Sequence, residues 1–258
     1  MIHPTAVIAS RARIGKDVEI GPYVVIEDHV VVGRGTVVHP FVHLLGHTTI
    51  GEHNTIRTGA VIGSPPQDLK YKNEESYVTI GDNNVIREYV TVNPGTAKGE
   101  TTAIGDNNLI MANVHIAHNC VIGGHCIIDN VATLAGHVAI HDHAIIGGLA
   151  GIHQFCRVGK HAFIGGCSKI VKDILPFVIA DGNPAVPHGI NLIGLRRRGF
   201  PEETIRLIEQ AYKILFRSGL NTSDAVKKLE NLPPSPEIGD MLGFIKESQR
   251  GIARKERS

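Results

Sequence analysis

An aliphatic side chain recurs at every sixth position along most of this chain. The series opens at Ile2 and continues through Ile8, Ile14, Ile20, Ile26, Val32, Val38, Leu44, Ile50, Ile56 and Ile62. It returns at Ile80, Ile86 and Val92, then holds from Ile104 through Ile110, Ile116, Ile122, Ile128, Leu134, Ile140, Ile146, Ile152, Val158, Ile164 and Ile170. Neither a helix nor a plain hairpin strand keeps such a spacing. The pattern predicts a parallel β-helix in which each hexad is a short strand and a corner, with one aliphatic side chain per hexad directed to the axis. Glycine often follows the aliphatic residue, as in Ile14-Gly15, Ile50-Gly51, Ile80-Gly81 and Ile104-Gly105. It is expected to supply a permissive backbone at the corner.

Two interruptions, Asp68 to Thr79 and Asn93 to Ala103, leave the phase intact and are each read as twelve residues long. Phase-preserving insertions of this kind are loops leaving the solenoid wall, where repeat proteins keep binding residues. Past Lys172 the hexads stop, and Asp181-Gly182-Asn183-Pro184-Ala185 reads as an exit turn. A helix is predicted with Pro201 as its first residue, Ile205, Ile208, Tyr212 and Leu215 on one face, and Gly219 at its end. Further helices are predicted from about Ser223 and over Glu237 to Arg250. The division is therefore a solenoid over 1–185 and a small helical domain over 186–258, the latter covering the open end of the stack.

Composition bounds the partners. Only 5% of the 258 residues are aromatic and none is tryptophan, so the core is aliphatic. Lys plus Arg number 26 against 25 Asp plus Glu, which leaves no global attraction for nucleic acid or an anionic membrane. No signal segment or membrane-length apolar run is present, and the chain reads as cytoplasmic with no stable membrane insertion. Cys120, Cys126, Cys156 and Cys167 form no CxxC pair and read as small buried residues of a reducing compartment.

The hexads resemble those of the hexapeptide-repeat proteins, and that resemblance implies a left-handed helix with three hexads, eighteen residues, per coil. On such a coil His118, Gly136 and Gln154 stack vertically, with His137 and His153 one residue to either side and His115 on the approach. Five polar side chains then gather within two coil spacings, about 10 Å. Spacing alone leaves two uses open. Three imidazoles converging across an interface suit zinc, as in proteins resembling γ-class carbonic anhydrases. One imidazole beside a substrate hydroxyl suits general base chemistry, worth roughly 10²- to 10⁴-fold. A non-catalytic solenoid scaffold is the third possibility from the fold alone.

Ordered motifs narrow the choice. They are His115-Ile116-Ala117-His118-Asn119, Leu134-Ala135-Gly136-His137-Val138, His153-Gln154-Phe155-Cys156, Gly165-Gly166-Cys167-Ser168, Asp181-Gly182-Asn183-Pro184, Gly194-Leu195-Arg196-Arg197-Arg198-Gly199-Phe200, and Pro66-Gln67-Asp68-Leu69-Lys70-Tyr71. Together they resemble the UDP-N-acetylglucosamine O-acyltransferases, the family that opens lipid A synthesis, over essentially the whole chain. The related N-acyltransferases carry an extra amino-terminal domain, for which no room is expected before Ile2.

The resemblance implies a homotrimer that transfers an (R)-3-hydroxyacyl group from acyl carrier protein to the 3-hydroxyl of UDP-N-acetylglucosamine, with no metal and no cofactor. His118 matches the general base and Gly136 the oxyanion-stabilising backbone N–H. His115, His137, His153, Gln154, Asp68 and Lys70 match substrate contacts; Asn191, Arg197 and Arg198 match the uridine and diphosphate side. Gly166 matches the acyl-length ruler and implies a chain of about fourteen carbons by analogy. Arg196, Lys213, Arg217 and Arg250 are candidates to receive the acidic carrier protein. An acetyl-coenzyme A-dependent sugar acetyltransferase is the nearest alternative, and a zinc hydratase the more distant one. Three positions depart from the family pattern: Asn119 where Asp often follows the catalytic His, Asn93-Pro94-Gly95 for His-Arg-Gly, and Ile193 for Glu.

Overall fold

The computed structural model describes residues 1–255, so the expected helical unit is seen as far as residue 255. Short parallel strands wind left-handed into a three-sided prism whose faces are sheets of nine, eight and ten strands among the described residues. Up to Lys169–Ile170 the pairing joins a strand to the third strand after it, as His115–Ile116 to Thr133–Leu134, eighteen residues on. The hexad residues from Ile20 to Ile170 fill the axis at 0–3% exposure. Burying each such side chain contributes about 1.5–3 kcal/mol. Ile2 is 52% exposed, and Ile8 and Ile14 are half-buried, because nothing lies beneath the first coil.

The two insertions differ in length. Tyr77 pairs with His47, thirty positions earlier, so the first adds twelve residues to its coil. Thr101 pairs with Tyr77, twenty-four positions earlier, so the second adds six and not twelve. Strands Tyr77–Ile80 and Thr101–Ile104 are twice the usual length and pair along the base of the loops, which therefore end at 76 and 100.

Glycine's role at the corners also differs from expectation. The left-handed backbone positions are held mostly by other residues, among them Asn119, His137 and Phe155 at φ of 61°, 61° and 64°. Gly15, Gly51 and Gly105 are required by close approach between coils. A β-carbon on Gly51 would lie 2.6 Å from Gly81 O, and one on Gly105 2.8 Å from Gly123 O.

The last coil is closed by an antiparallel hairpin, Val178–Gly182 with Ala185–Ile190, and by four helices. These are α1 (Leu192–Arg197), α2 (Glu202–Phe216), α3 (Thr222–Leu229) and α4 (Pro236–Lys246). Leu175, Phe177 and Val178 from the end of the solenoid share one core with Leu195, Ile208, Leu229 and Met241. Ile252 returns to bridge Asp173. Pro201 is the N-cap of α2 and not its first helical residue, its ψ of 143° being extended. Gly219 lies three residues past Phe216, in the following turn, and α4 stops at Lys246, short of Arg250. Cys167 is exposed, contrary to expectation, because it stands at an outer corner; the other three cysteines are buried, and burial pushes the Cys120 thiol up to about 12.

Candidate active site

The eighteen-residue coil places residues 118, 136 and 154 in one column at the corner between the nine- and eight-stranded faces. The His137 N–H donates to His118 O at 3.0 Å, and the Phe155 N–H to Gly136 O at 3.1 Å, which locks the column's backbone. The His118 ring lies directly on Gly136. A β-carbon at 136 would fall 2.5 Å from Nε2. Gly136 is buried, and its N–H has no hydrogen-bond partner among the described residues.

His137 meets His118 edge-on at 5.3 Å between centroids and stacks on Phe155 at 4.6 Å. His115 Nδ1 is 2.7 Å from the Thr91 hydroxyl on the preceding coil. Burial, and then the charge of His118, pushes the His115 and His137 imidazoles below their ordinary pKa. Uncharged rings are thereby favoured beside His118. The first loop brings Asp68 to the same place, its Oδ2 4.0 Å from His118 Nε2. Lys70 extends into solvent, with its backbone N–H on Asp68 Oδ1 at 2.9 Å. His153 and Gln154 stand exposed on the wall below.

His118 Nδ1 is 2.9 Å from Asn119 Oδ1. The same oxygen accepts the Thr96 N–H at 3.2 Å. Asn119 Nδ2 donates to Glu100 Oε2 at 2.8 Å. The hydrogen bond from Asn119, then that from the Ala97 N–H, holds the Glu100 carboxyl below its ordinary pKa. A backbone N–H can only donate and a carboxylate can only accept, so the orientation of the Asn119 amide is determined. His118 Nδ1 therefore faces an acceptor and carries a proton, with Nε2 on the side of Asp68 and Gly136.

Not every expected site residue joins this group. Asn191 is the N-cap of α1: its Oδ1 accepts the Gly194 N–H at 3.1 Å and its Nδ2 donates to His161 O at 3.0 Å. It thus belongs to the corner between the eight- and ten-stranded faces. Arg197 and Arg198 close the same six-residue helix, and Arg198 acts electrostatically on His143 and His161 at that corner. Gly166 is exposed at the third corner, where an added β-carbon would meet only Gly148 O at 3.3 Å. Within one chain His118, the Arg197–Arg198 pair and Gly166 occupy three different edges of the prism. The same dispersion appears in the cavities. One of about 480 Å³ lies among Val186, Tyr212, Phe216 and Arg217 and shares no residue with the histidine cluster, whereas a hollow of about 370 Å³ adjoins His137 and Phe155.

Of the basic residues expected to receive a carrier protein, Arg196 is bound to Glu202 at 2.8 Å and Lys213 to Glu209 at 2.8 Å. Arg250 Nε donates to Val171 O at 3.1 Å. Sequence reasoning missed Thr91, Phe155 and Glu100. The eighteen-residue column signals Phe155, one coil below His137, but Glu100 lies in an insertion whose path no period describes.

A family model described as the second domain of UDP N-acetylglucosamine O-acyltransferase matches residues 173–253, and a bacterial transferase hexapeptide model matches residues 29–64 and 101–136. The acyl-[acyl-carrier-protein]–UDP-N-acetylglucosamine O-acyltransferase of Paraburkholderia phymatum is 52% identical over 260 aligned positions, covering 98% of this chain and 99% of that protein. The chain belongs to the UDP-N-acetylglucosamine O-acyltransferase family. A member from Thermodesulfovibrio yellowstonii bearing the same name is 51% identical over 98% of this chain and 99% of its own. Among solved structures, the family member from Bacteroides fragilis superposes with a TM-score of 0.96 at 50% identity, covering 98% of this chain and 100% of that one. The member from Francisella novicida gives 0.97 at 40% identity, over 100% of this chain and 95% of its own. Neither a zinc hydratase nor an acetyl-coenzyme A-dependent acetyltransferase is favoured by these relatives.

Proposed function

We propose that this family member moves an (R)-3-hydroxyacyl group from acyl carrier protein to the 3-hydroxyl of UDP-N-acetylglucosamine, the first step of lipid A synthesis, with His118 as general base. The observation that carries the mechanism is the His118 ring seated on Gly136 with Nδ1 2.9 Å from the Asn119 amide oxygen and Nε2 on the side of Gly136. Nε2 takes the proton of the sugar hydroxyl as that oxygen attacks the thioester carbonyl. The oxyanion of the tetrahedral intermediate is received by the unpartnered Gly136 N–H. Collapse breaks the C–S bond, and the departing thiolate takes the proton from the His118 imidazolium. Charge is generated and removed at one ring, so no metal or organic cofactor is needed.

In this reading Asp68 and Lys70 hold the sugar nucleotide from the first loop, and His115, His137, His153 and Gln154 line its path. Arg197 and Arg198, with Asn191, take the uridine diphosphate, and Gly166 leaves room for a chain of about fourteen carbons. The separation of these groups onto three edges favours a homotrimer in which neighbouring prisms share each groove, since one convex edge offers no enclosed pocket. Residues 1–185 then form the catalytic solenoid, and 186–258 the unit that meets the carrier protein. No helix among the described residues is long and apolar enough to cross a membrane, consistent with a cytoplasmic site of action.

The test is mass spectrometry of products from purified protein supplied with UDP-N-acetylglucosamine or its 3-amino analogue and 3-hydroxyacyl carrier proteins of graded length. An O-acylated sugar nucleotide supports the reading. Absence of acyl transfer from every pair by folded protein overturns it.

A further inference from the structure

Asn119 stands beside His118 where a carboxylate often stands in the family, yet a carboxylate is present one hydrogen bond further out. Glu100 sits at the end of the second insertion, and its Oε2 gathers four donors. They are Asn119 Nδ2 at 2.8 Å, the Ala97 N–H at 2.9 Å, the Thr96 N–H at 3.2 Å and the Thr96 hydroxyl at 3.3 Å. The Asn119 backbone is itself held, its N–H donating to the Thr102 hydroxyl at 2.8 Å. An amide between an imidazole and a carboxylate has one orientation that satisfies both. Turned the other way, its NH₂ would face the Thr96 N–H and compete with the His118 Nδ1 proton, while its oxygen would face the carboxylate.

We propose that Glu100 is a positioning residue for acyl transfer: by accepting from Asn119 Nδ2 it fixes the Asn119 carbonyl on His118 Nδ1–H, and so holds the ring in the tautomer whose Nε2 is the base. The proposal rests on His118 being that base. It is the logic by which a third group orients a catalytic imidazole, with the charge moved one residue outward through an amide. Glu100 reaches His118 through the Asn119 amide, whereas its charge acts on His137 without residue 119 between them.

That dependence supplies the test. Glu100→Gln keeps an oxygen for the loop N–H groups but removes the obligatory acceptor facing Asn119. It is expected to lower kcat about tenfold while leaving KM for UDP-N-acetylglucosamine within about twofold. Asn119→Asp removes the amide that needs orienting and puts a second carboxylate where Asn119 Nδ2 now lies, 2.8 Å from Glu100 Oε2. In that background Glu100→Gln donates to Asp and relieves like-charge repulsion, so the same change leaves kcat equal or raises it.

A reversal of sign between the two backgrounds supports the proposal. An equal loss of kcat with Asn or Asp at 119 would mean that Glu100 only builds the loop, and an unchanged kcat in the Asn119 background would overturn it as well. Should Glu100→Gln alone not fold, as judged by its melting transition, Asn119→Asp is compared with Asn119→Asp/Glu100→Gln, and a loss in the double variant contradicts the proposal. His118→Ala is run in parallel: retained activity there defeats the general-base reading, whereas its loss beside a failed sign reversal defeats only the role of Glu100.

Discussion

The imidazole of His118 covers the α-carbon of Gly136 so closely that a β-carbon there would lie 2.5 Å from Nε2 and 3.0 Å from Nδ1. One residue thus sets the height of the ring above the backbone N–H proposed to receive the oxyanion. Gly136→Ala must push the ring off this seat, because the column backbone is bonded above and below. Its kcat is expected to fall about 100-fold or more with the melting temperature nearly unchanged. Steady-state kinetics with a melting curve checks this, and wild-type kcat would show that the ring position is immaterial.

Gly166 is exposed, with only Gly148 O near an added β-carbon at 3.3 Å, so a larger side chain can be built there and project outward. Gly166→Met is expected to shift the preferred donor to a chain shorter by about four carbons, by filling the floor of the groove. Competition between carrier proteins of mixed chain length reads the shift.

The histidine cluster and the Asn191–Arg198 segment lie at different corners of one prism, so a shared site requires two copies. Mixing unfolded His118→Ala and Arg198→Ala chains and refolding them together is expected to restore about a quarter of wild-type activity, the fraction of random interfaces that retain both groups. Each variant alone stays impaired. No recovery in well-formed mixed oligomers would place both groups in a single chain's site.

His161 is 9% exposed, stacks between His143 at 4.6 Å and Phe177 at 5.7 Å, and has no partner for Nδ1 among the described residues. Burial first, then the charges of His143 and Arg198, pushes its imidazole down to about 4. The folded value lies below the unfolded one of about 6.5, so the unfolded chain binds more protons in that window. Stability is therefore complete above about pH 6.5 and lost towards pH 4, by an amount on the order of 3 kcal/mol. Denaturant titrations at pH 7, 5.5 and 4.5 should show this loss, and His161→Phe, which keeps the stack, should flatten it.

The axis of the prism was legible in the sequence because one aliphatic residue per hexad is a condition for closing the core, and each coil repeats it. The vertical column of residues 118, 136 and 154 needed in addition the three hexads per coil that the resemblance to hexapeptide-repeat proteins implies. That arithmetic also separates Gly166 from His118 by a fraction of a turn, a signal that motif matching obscured. Corner glycines were misread because Gly51 and Gly81 answer to the coil stacked against them, a tertiary condition invisible to local propensity. Helix α1 is not legible in the sequence because its six residues, opened by Asn191, are too few to show an apolar period. The insertions were located but not traced: nothing in their composition places Asp68 beside His118 or Glu100 behind Asn119.

The most direct test of the account is the kcat of His118→Ala with UDP-N-acetylglucosamine and a 3-hydroxyacyl carrier protein, measured on protein whose melting transition matches the wild type. A loss of about 100-fold or more, with sugar-nucleotide affinity retained, is the predicted result. A kcat within about tenfold of wild type would contradict the assignment of His118 as the base.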